Sequence, residues 1–355
     1  LSNAALAGGV TSVVTMPNTI PVIDNVSIVD FLKRRGRDKS KINIYPTASL
    51  TKNLEGTNMT EFGLLQKKGI VGFTDGTQTI QNTRLMSRIM RSAYDLNCLI
   101  IQHAEDYELA KNGMVNDGIV ATQLGLHGIP DLAEKIIIER DLSLLEDFNC
   151  RYHISQISSS KSVDIIDKKK DIVDFTTGVS INNLSLNEND IGDFKTFLKL
   201  SPPLRTEEDR ISLIKEIPIQ EEGRIKPMDT FARNQLLRFY GKRSMGTDLT
   251  PINWLIGVAT NNQNIIDIPV FNIRNSEVAH TLGLQWDNNH KYTISEVASG
   301  IESEIDVFKA IYSKGEENCE VKSCKPCAGI RGLRRWKGEI WLILRNESNP
   351  GLAFG

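Results

Sequence analysis

Ile70-Val71-Gly72-Phe73-Thr74-Asp75, the amphipathic stretch Thr83 to Leu96, and then Leu99-Ile100-Ile101-Gln102-His103 decide how the first part of this chain folds. Two short apolar runs flank a segment with helical character, and each run ends on a side chain that can carry chemistry. The same rhythm extends in both directions. Further β-branched, apolar runs occupy Thr11 to Met16, Ile42 to Ser49, Arg151 to Ile157 and Phe175 to Ile181. Helical stretches such as Val26 to Arg35 and Leu132 to Phe148 lie between them. Alternation of this kind predicts parallel strands joined by crossover helices. Six such units suit most of an eightfold barrel or an open doubly wound sheet. The polar residues favour the barrel. Asn18, Asp75, His103 and His153 each fall at or near the carboxyl end of a different run, and a barrel gathers those ends at one mouth. No Gly-rich phosphate loop follows the first run, where Pro17-Asn18-Thr19 stands instead, which speaks against dinucleotide binding. The expected fold class is therefore α/β: an incomplete TIM (β/α)8 barrel with about six of its eight strands.

Composition narrows the function. Among 355 residues, 42 are Lys or Arg and 44 are Asp or Glu, a formal net charge of -2. That balance lacks the basic excess of a general nucleic-acid binder. No run approaches the roughly 20 apolar residues that cross a bilayer, and no secretory signal opens the sequence. The chain starts Leu1-Ser2-Asn3-Ala4 without an initiator Met and is in a β-branched run by Val10, which reads as a fragment entered mid-fold.

The rhythm stops after Ile217. Residues 218–308 open with a turn-rich stretch at Pro218 and Gly223, continue with a helix over Asp229 to Tyr240, and are expected to be small, mainly helical and irregular. Residues 309–355 show no periodicity and read as an irregular or disordered tail. Cys98 and Cys150 sit beside expected strands and read as reduced core residues. Cys319, Cys324 and Cys327 include one Cys-x-x-Cys but no fourth ligand, so no metal or redox role is assigned to them. Trp336 and Trp341 among Arg331, Arg334 and Arg335 read as a solvated tail.

The chemistry lies in five ordered motifs: Thr15-Met16-Pro17-Asn18-Thr19, Gly72-Phe73-Thr74-Asp75, His103-Ala104-Glu105-Asp106, His153-Ile154-Ser155 and Ser201-Pro202-Pro203-Leu204-Arg205. A lone strand-end His is usually structural. Imidazoles and a carboxylate on separate strands of one mouth suit zinc and related ions. The ordered set resembles the dihydroorotases of the amidohydrolase superfamily over residues 1–217. The resemblance implies a barrel with two zinc ions, catalysing the reversible cyclisation of N-carbamoyl-aspartate to dihydroorotate in pyrimidine biosynthesis, in the cytoplasm. It implies that Asn18 helps hold the substrate carboxylate, that Asp75 takes the metal-bridging position, and that His103 and His153 bind the second metal. Ser201 stands where the family usually has Asn, and Asn182-Asn183 stands where relatives often carry paired histidines; neither is given a role.

Two family features have no counterpart here. The five histidines, His103, His127, His153, His280 and His290, form no His-x-His, and no Asp-His pair follows Arg205 at the family's spacing. The expectation is a polypeptide that does not turn over substrate alone, with no catalytic acid/base residue assigned. Residues 218–308, from Pro218-Ile219-Gln220 through Gly223-Arg224-Ile225-Lys226-Pro227-Met228-Asp229-Thr230-Phe231, resemble an extracytoplasmic segment of cytochrome c biogenesis proteins of the CcsA/ResC-like type. Two other readings thus stand beside the enzyme: a non-catalytic scaffold for aspartate transcarbamoylase, and a chimeric chain whose second half derives from a cytochrome c assembly protein.

Overall fold

The computed structural model describes residues 1–303 apart from 222, 247, 248, 261 and 287. The three C-terminal cysteines and the Trp- and Arg-containing segment therefore lie outside the described residues. The chain divides between Ile214 and Lys215 into two compact units, three residues before the change of rhythm in the sequence.

In the first unit the elements run α1 (Ser2–Ala7), β1 (Ser12–Thr15), α2 (Val26–Lys39), β2 (Asn43–Pro46), α3 (Phe62–Lys67), α4 (Thr83–Leu96), β3 (Leu99–Gln102), α5 (Tyr107–Ala110), β4 (Val115–Asn116), α6 (Ile119–Leu124), β5 (Gly128–Ile129), α7 (Asp131–Phe148), β6 (Arg151–Ile157), α8 (Ser160–Lys169), β7 (Thr176–Val179), α9 (Ile181–Ser185) and α10 (Glu207–Lys215). β1 pairs in parallel with β2. Phe73 then bridges in parallel to Ala48 on one side and Ile100 on the other. β3 pairs with β6 and β6 with β7, again in parallel. Neighbours in the sheet thus follow chain order without the reversal of a doubly wound sheet.

The run Ile70 to Thr74 does not become a ladder strand. Phe73 is its only bridging residue among the described ones. Backbone hydrogen bonds still join it to both neighbours, among them Thr74 N–H to Ala48 O at 2.9 Å and Phe73 N–H to Leu99 O at 2.8 Å, and the Phe73 ring stacks on Phe62 with centroids 3.9 Å apart and planes 15° apart. Phe73, Ile100, Ile154 and the α4 residues Met86, Ile89 and Met90 are all buried in one core. Each fully buried side chain of this size contributes about 1.5–3 kcal/mol. The opposite face of the sheet is open at β1 and β2, where the register partners Val14 and Tyr45 are 56% and 45% exposed.

Two helix ends use one device. Asn97 closes α4 and Asn149 closes α7, both in the left-handed region at φ 52° and 42°, a conformation that Asn tolerates better than other side chains. Each is followed by a buried free cysteine, Cys98 or Cys150, and then by a strand.

The second unit begins with an antiparallel hairpin of β8 (Pro218–Glu221) and β9 (Arg224–Pro227). The turn-rich reading had missed this hairpin; Gly223, at φ +76°, supplies its turn. α11 (Met228–Phe239), α12 (Pro251–Ala259), α13 (Gln263–Ile266), α14 (Ser276–Thr281) and α15 (Ile294–Ser303) follow, with a short pair of β10 (Phe271–Asn272) and β11 (Lys291–Tyr292). They enclose their own core around Trp254, Phe239 and Phe271. No described helix is long and apolar enough to cross a membrane.

Candidate active site

Asn18 follows β1 directly after Pro17. Its side chain lies beside Gly76, whose absent Cβ would sit 3.8 Å from Asn18 Cγ. The first substrate-binding candidate and Asp75 are therefore neighbours, although their motifs are far apart in sequence.

Asp75 is only 1% exposed. Thr51 donates to it twice, from its backbone N–H to Oδ1 at 3.0 Å and from its hydroxyl to Oδ2. Burial pushes this carboxyl above its ordinary range; the hydrogen bonds from Thr51 and Leu50 pull the other way and do not fully offset it. The carboxylate thus faces the loop that follows β2.

His103 stands one residue past β3 and is 3% exposed. Its Nε2 lies 3.0 Å from Ser201 Oγ and 4.0 Å from Glu105 Oε1. Burial holds its pKa below the ordinary histidine value, with Glu105 and Glu134 pulling it up by less.

His153 departs from its expected position. It is the third residue of the seven-residue β6 and pairs with Ile101, so it lies toward the start of its strand rather than its carboxyl end. β6 runs on beyond the end of β3, and the run Arg151 to Ile157 itself has His153 as its third residue, so the carboxyl-end expectation does not follow from the run's own bounds. Alternation along β3 carries His103 to the face of Ile101, which is the face of His153. His153 Nδ1 lies 2.8 Å from Thr176 Oγ1. Burial lowers its pKa as well.

The donor types suit zinc: two imidazoles and one oriented carboxylate on neighbouring parallel segments. They are not drawn together, however. Among the described residues no three His, Cys, Asp or Glu side chains gather closely enough to hold a metal ion. Asp75 is tied to Thr51, His103 to Ser201 and His153 to Thr176. The residues thus fit the ion in kind, while the described side chains do not gather around one position.

Sequence reasoning passed over several residues that shape this rim. Glu105 stands in the His103-Ala104-Glu105-Asp106 motif with no role assigned to it, yet it accepts a hydrogen bond from Ser201 Oγ at 3.2 Å. Gly178 lets β7 pass β6: a Cβ there would fall 2.5 Å from Ser155 O and 3.3 Å from His153 Nε2. Arg205, from the motif that contains Ser201, is not at the rim. It is 3% exposed and donates to Ser158 Oγ at 3.0 Å, Asn116 Oδ1 at 2.8 Å and Ile129 O at 2.7 Å. Ser158 in turn donates its N–H to Glu134, and Asn116 donates to Glu188. Asn183 donates to Pro203 O at 2.9 Å and is buried, which gives this position a structural task.

A family model described as Dihydro-orotase-like matches residues 2–162. The dihydroorotase of Ehrlichia canis (strain Jake) is 33% identical over 89% of this chain and 74% of its own length. That share exceeds what Leu1–Ile214 can supply out of 355 residues, so the similarity runs into the second unit. The dihydroorotase of Anaplasma phagocytophilum (strain HZ) is 40% identical over 63% of this chain and 49% of its own length. Among solved structures, the L-hydantoinase (dihydropyrimidinase) of Arthrobacter aurescens superposes with a TM-score of 0.52 at 21% identity, over 61% of this chain and 49% of that one, which supports the α/β fold. The chain belongs to the dihydroorotase family of amidohydrolases.

Proposed function

We propose that this chain supplies the substrate-facing and second-metal side of a dihydroorotase-like cyclic amidohydrolase, which opens and closes the ring amide between dihydroorotate and N-carbamoyl-aspartate. The observation that carries the proposal is the placement of His103, one residue past β3, and His153, on β6, on neighbouring parallel segments. The buried Asp75, with Asn18 beside it, supplies the remaining groups. Zinc would be held by Asp75, His103 and His153. When bound, it would supply a water of lowered pKa and a polarised carbonyl. The chain's own residues do the rest. Asn18 presents an exposed amide that can donate to the substrate carboxylate. Thr51 fixes the Asp75 carboxylate, so that no rotation of that group is required on binding.

The same reading takes the first unit as part of a (β/α)8 barrel. β1, β2, the segment around Phe73, β3, β6 and β7 occupy six consecutive strand positions. The parallel order and the exposed Val14 and Tyr45 support it.

Calorimetric titration with dihydroorotate in the presence of zinc tests the function. The chain should bind both, His103→Ala should lose the zinc, and Asn18→Ala should weaken the ligand by about tenfold to a hundredfold while sparing the zinc, the cost of one charge-assisted hydrogen bond of about 1.5–3 kcal/mol. Unchanged dihydroorotate binding in Asn18→Ala would remove that residue from the account. A second reading, a non-catalytic scaffold, is favoured by the separation of the three donors. It requires stable co-purification with aspartate transcarbamoylase without zinc uptake.

A further inference from the structure

The stretch Gly223-Arg224-Ile225-Lys226 has no part in the proposed reaction, yet it forms the wall of a cleft in the second unit. β9 runs antiparallel to β8, with Arg224 opposite Glu221. Side chains alternate along a strand, so Arg224 and Lys226 share one face of β9. α11 packs against both strands. Asn234, Leu237 and Arg238 stand at i, i+3 and i+4 along it, which is one face of a helix. The strand face and the helix face meet in a cleft of about 450 Å3 lined by Glu221, Arg224, Lys226, Asn234, Leu237 and Arg238. Small-molecule sites run to about 300–1,000 Å3.

The one carboxylate among the described lining residues, Glu221, is already engaged. Lys226 Nζ donates to its Oε2, and Gln235 Nε2 and Arg238 Nη1 donate to its Oε1, each at 3.1 Å. Glu221 therefore holds Lys226 and Arg238 in place while its own charge is countered. Arg224 is exposed, and among the described residues no hydrogen bond or ion pair engages its side chain. Three basic groups against one paired carboxylate leave the cleft positive. A guanidinium presents a planar fork of donors that matches a phosphoryl group bidentately. Leu237, 43% exposed, adds apolar surface beside these charges.

We propose that this cleft binds a small phosphorylated molecule: Arg224 grips the phosphoryl group, Lys226 and Arg238 add charge, and Leu237 meets the apolar part of the ligand. The site is separate from the proposed metal side of the first unit, and neither reading depends on the other.

The test is calorimetric titration of the whole chain with phenyl phosphate and with inorganic phosphate. Wild type should bind both, phenyl phosphate more tightly. Arg224→Gln removes an exposed side chain that supports no other residue, so the fold is retained; it should weaken both ligands about tenfold to a hundredfold, the loss of a charge-assisted hydrogen bond. Leu237→Ala should weaken phenyl phosphate and leave inorganic phosphate unchanged. Arg274→Gln, a charge removed outside the cleft, should leave both unchanged. No binding of either ligand by wild type, or equal binding by Arg224→Gln, overturns the site. Equal weakening by Arg274→Gln and Arg224→Gln overturns it in favour of diffuse attraction by surface charge. Binding to phosphatidic acid vesicles without affinity for phenyl phosphate overturns the small-molecule ligand in favour of a lipid headgroup.

Discussion

Arg205 shows how a motif residue can serve the fold rather than the substrate. Its guanidinium is enclosed and bonds Ser158, Asn116 and a backbone carbonyl. Arg205→Met should therefore cost about 3–5 kcal/mol, the usual result of breaking a buried polar network, as read from urea unfolding. Arg205→Lys should restore little of it, since an ammonium cannot reproduce the planar fork. Asp209 carries a second residue-scale prediction. It accepts from Ser160 N–H and Oγ, both at 2.8 Å, and from Thr206, joining the starts of α8 and α10. Burial alone would raise its pKa, but these hydrogen bonds outweigh it and hold the carboxyl below its ordinary value of 3.8. A depressed carboxyl stabilises the fold fully above the unfolded-state pKa, and that contribution is lost as pH falls through the lower folded value. Asp209→Asn should lose about 1–2 kcal/mol near neutral pH, and the gap to wild type should close as unfolding is followed below about pH 3.8. The five motifs exposed the rim residues because imidazole and carboxylate at run ends are chemically conspicuous. Ser201, Glu105 and Thr51 stayed hidden as partners because hydrogen bonds across 96 and 98 residues at Ser201, or 24 from Thr51 to Asp75, leave no local pattern.

At the scale of elements, apolar runs and amphipathic stretches marked the helices and most strands. Thr83–Leu96 matches α4 and Arg151–Ile157 matches β6 at both ends. What the pattern could not convey was register. Ile70 to Thr74 reads as a strand and is hydrogen-bonded to both neighbours, yet only Phe73 forms bridges, so the paired stretch is shorter than the apolar run. His153 differs: the run Arg151 to Ile157 itself places it third of seven, and only its pairing with Ile101 needed the structure, since period-two alternation gives the face of a residue but not its height along the neighbouring strand. β7 tests the importance of that height. Gly178→Ala would drive a Cβ into Ser155 O at 2.5 Å, a backbone atom that cannot turn aside. The variant should lose about 1–3 kcal/mol by thermal or urea unfolding and bind zinc more weakly, since β6 must shift and His153 shifts with it. Unchanged zinc affinity in a folded Gly178→Ala chain would disconnect β7 from the site.

For the whole molecule, two cores separated near Ile214 account for the loss of strand-helix rhythm seen in the sequence. The similarity of the second unit to cytochrome c biogenesis proteins is not supported by the comparisons, whereas the Ehrlichia canis dihydroorotase continues across the boundary. Sequence reading followed rhythm, and a hairpin with short helices such as β8, β9 and α11 carries too little periodicity to name its family. The proposed function rests on the first unit, where Asp75, His103 and His153 would form the metal-binding half of an amidohydrolase site. Anomalous diffraction at the zinc absorption edge, from crystals of the zinc-loaded chain, tests it most directly. The account predicts one zinc peak within about 2.0–2.2 Å of both imidazoles and of an Asp75 oxygen. A zinc peak elsewhere, or none at this rim in fully loaded protein, would contradict it.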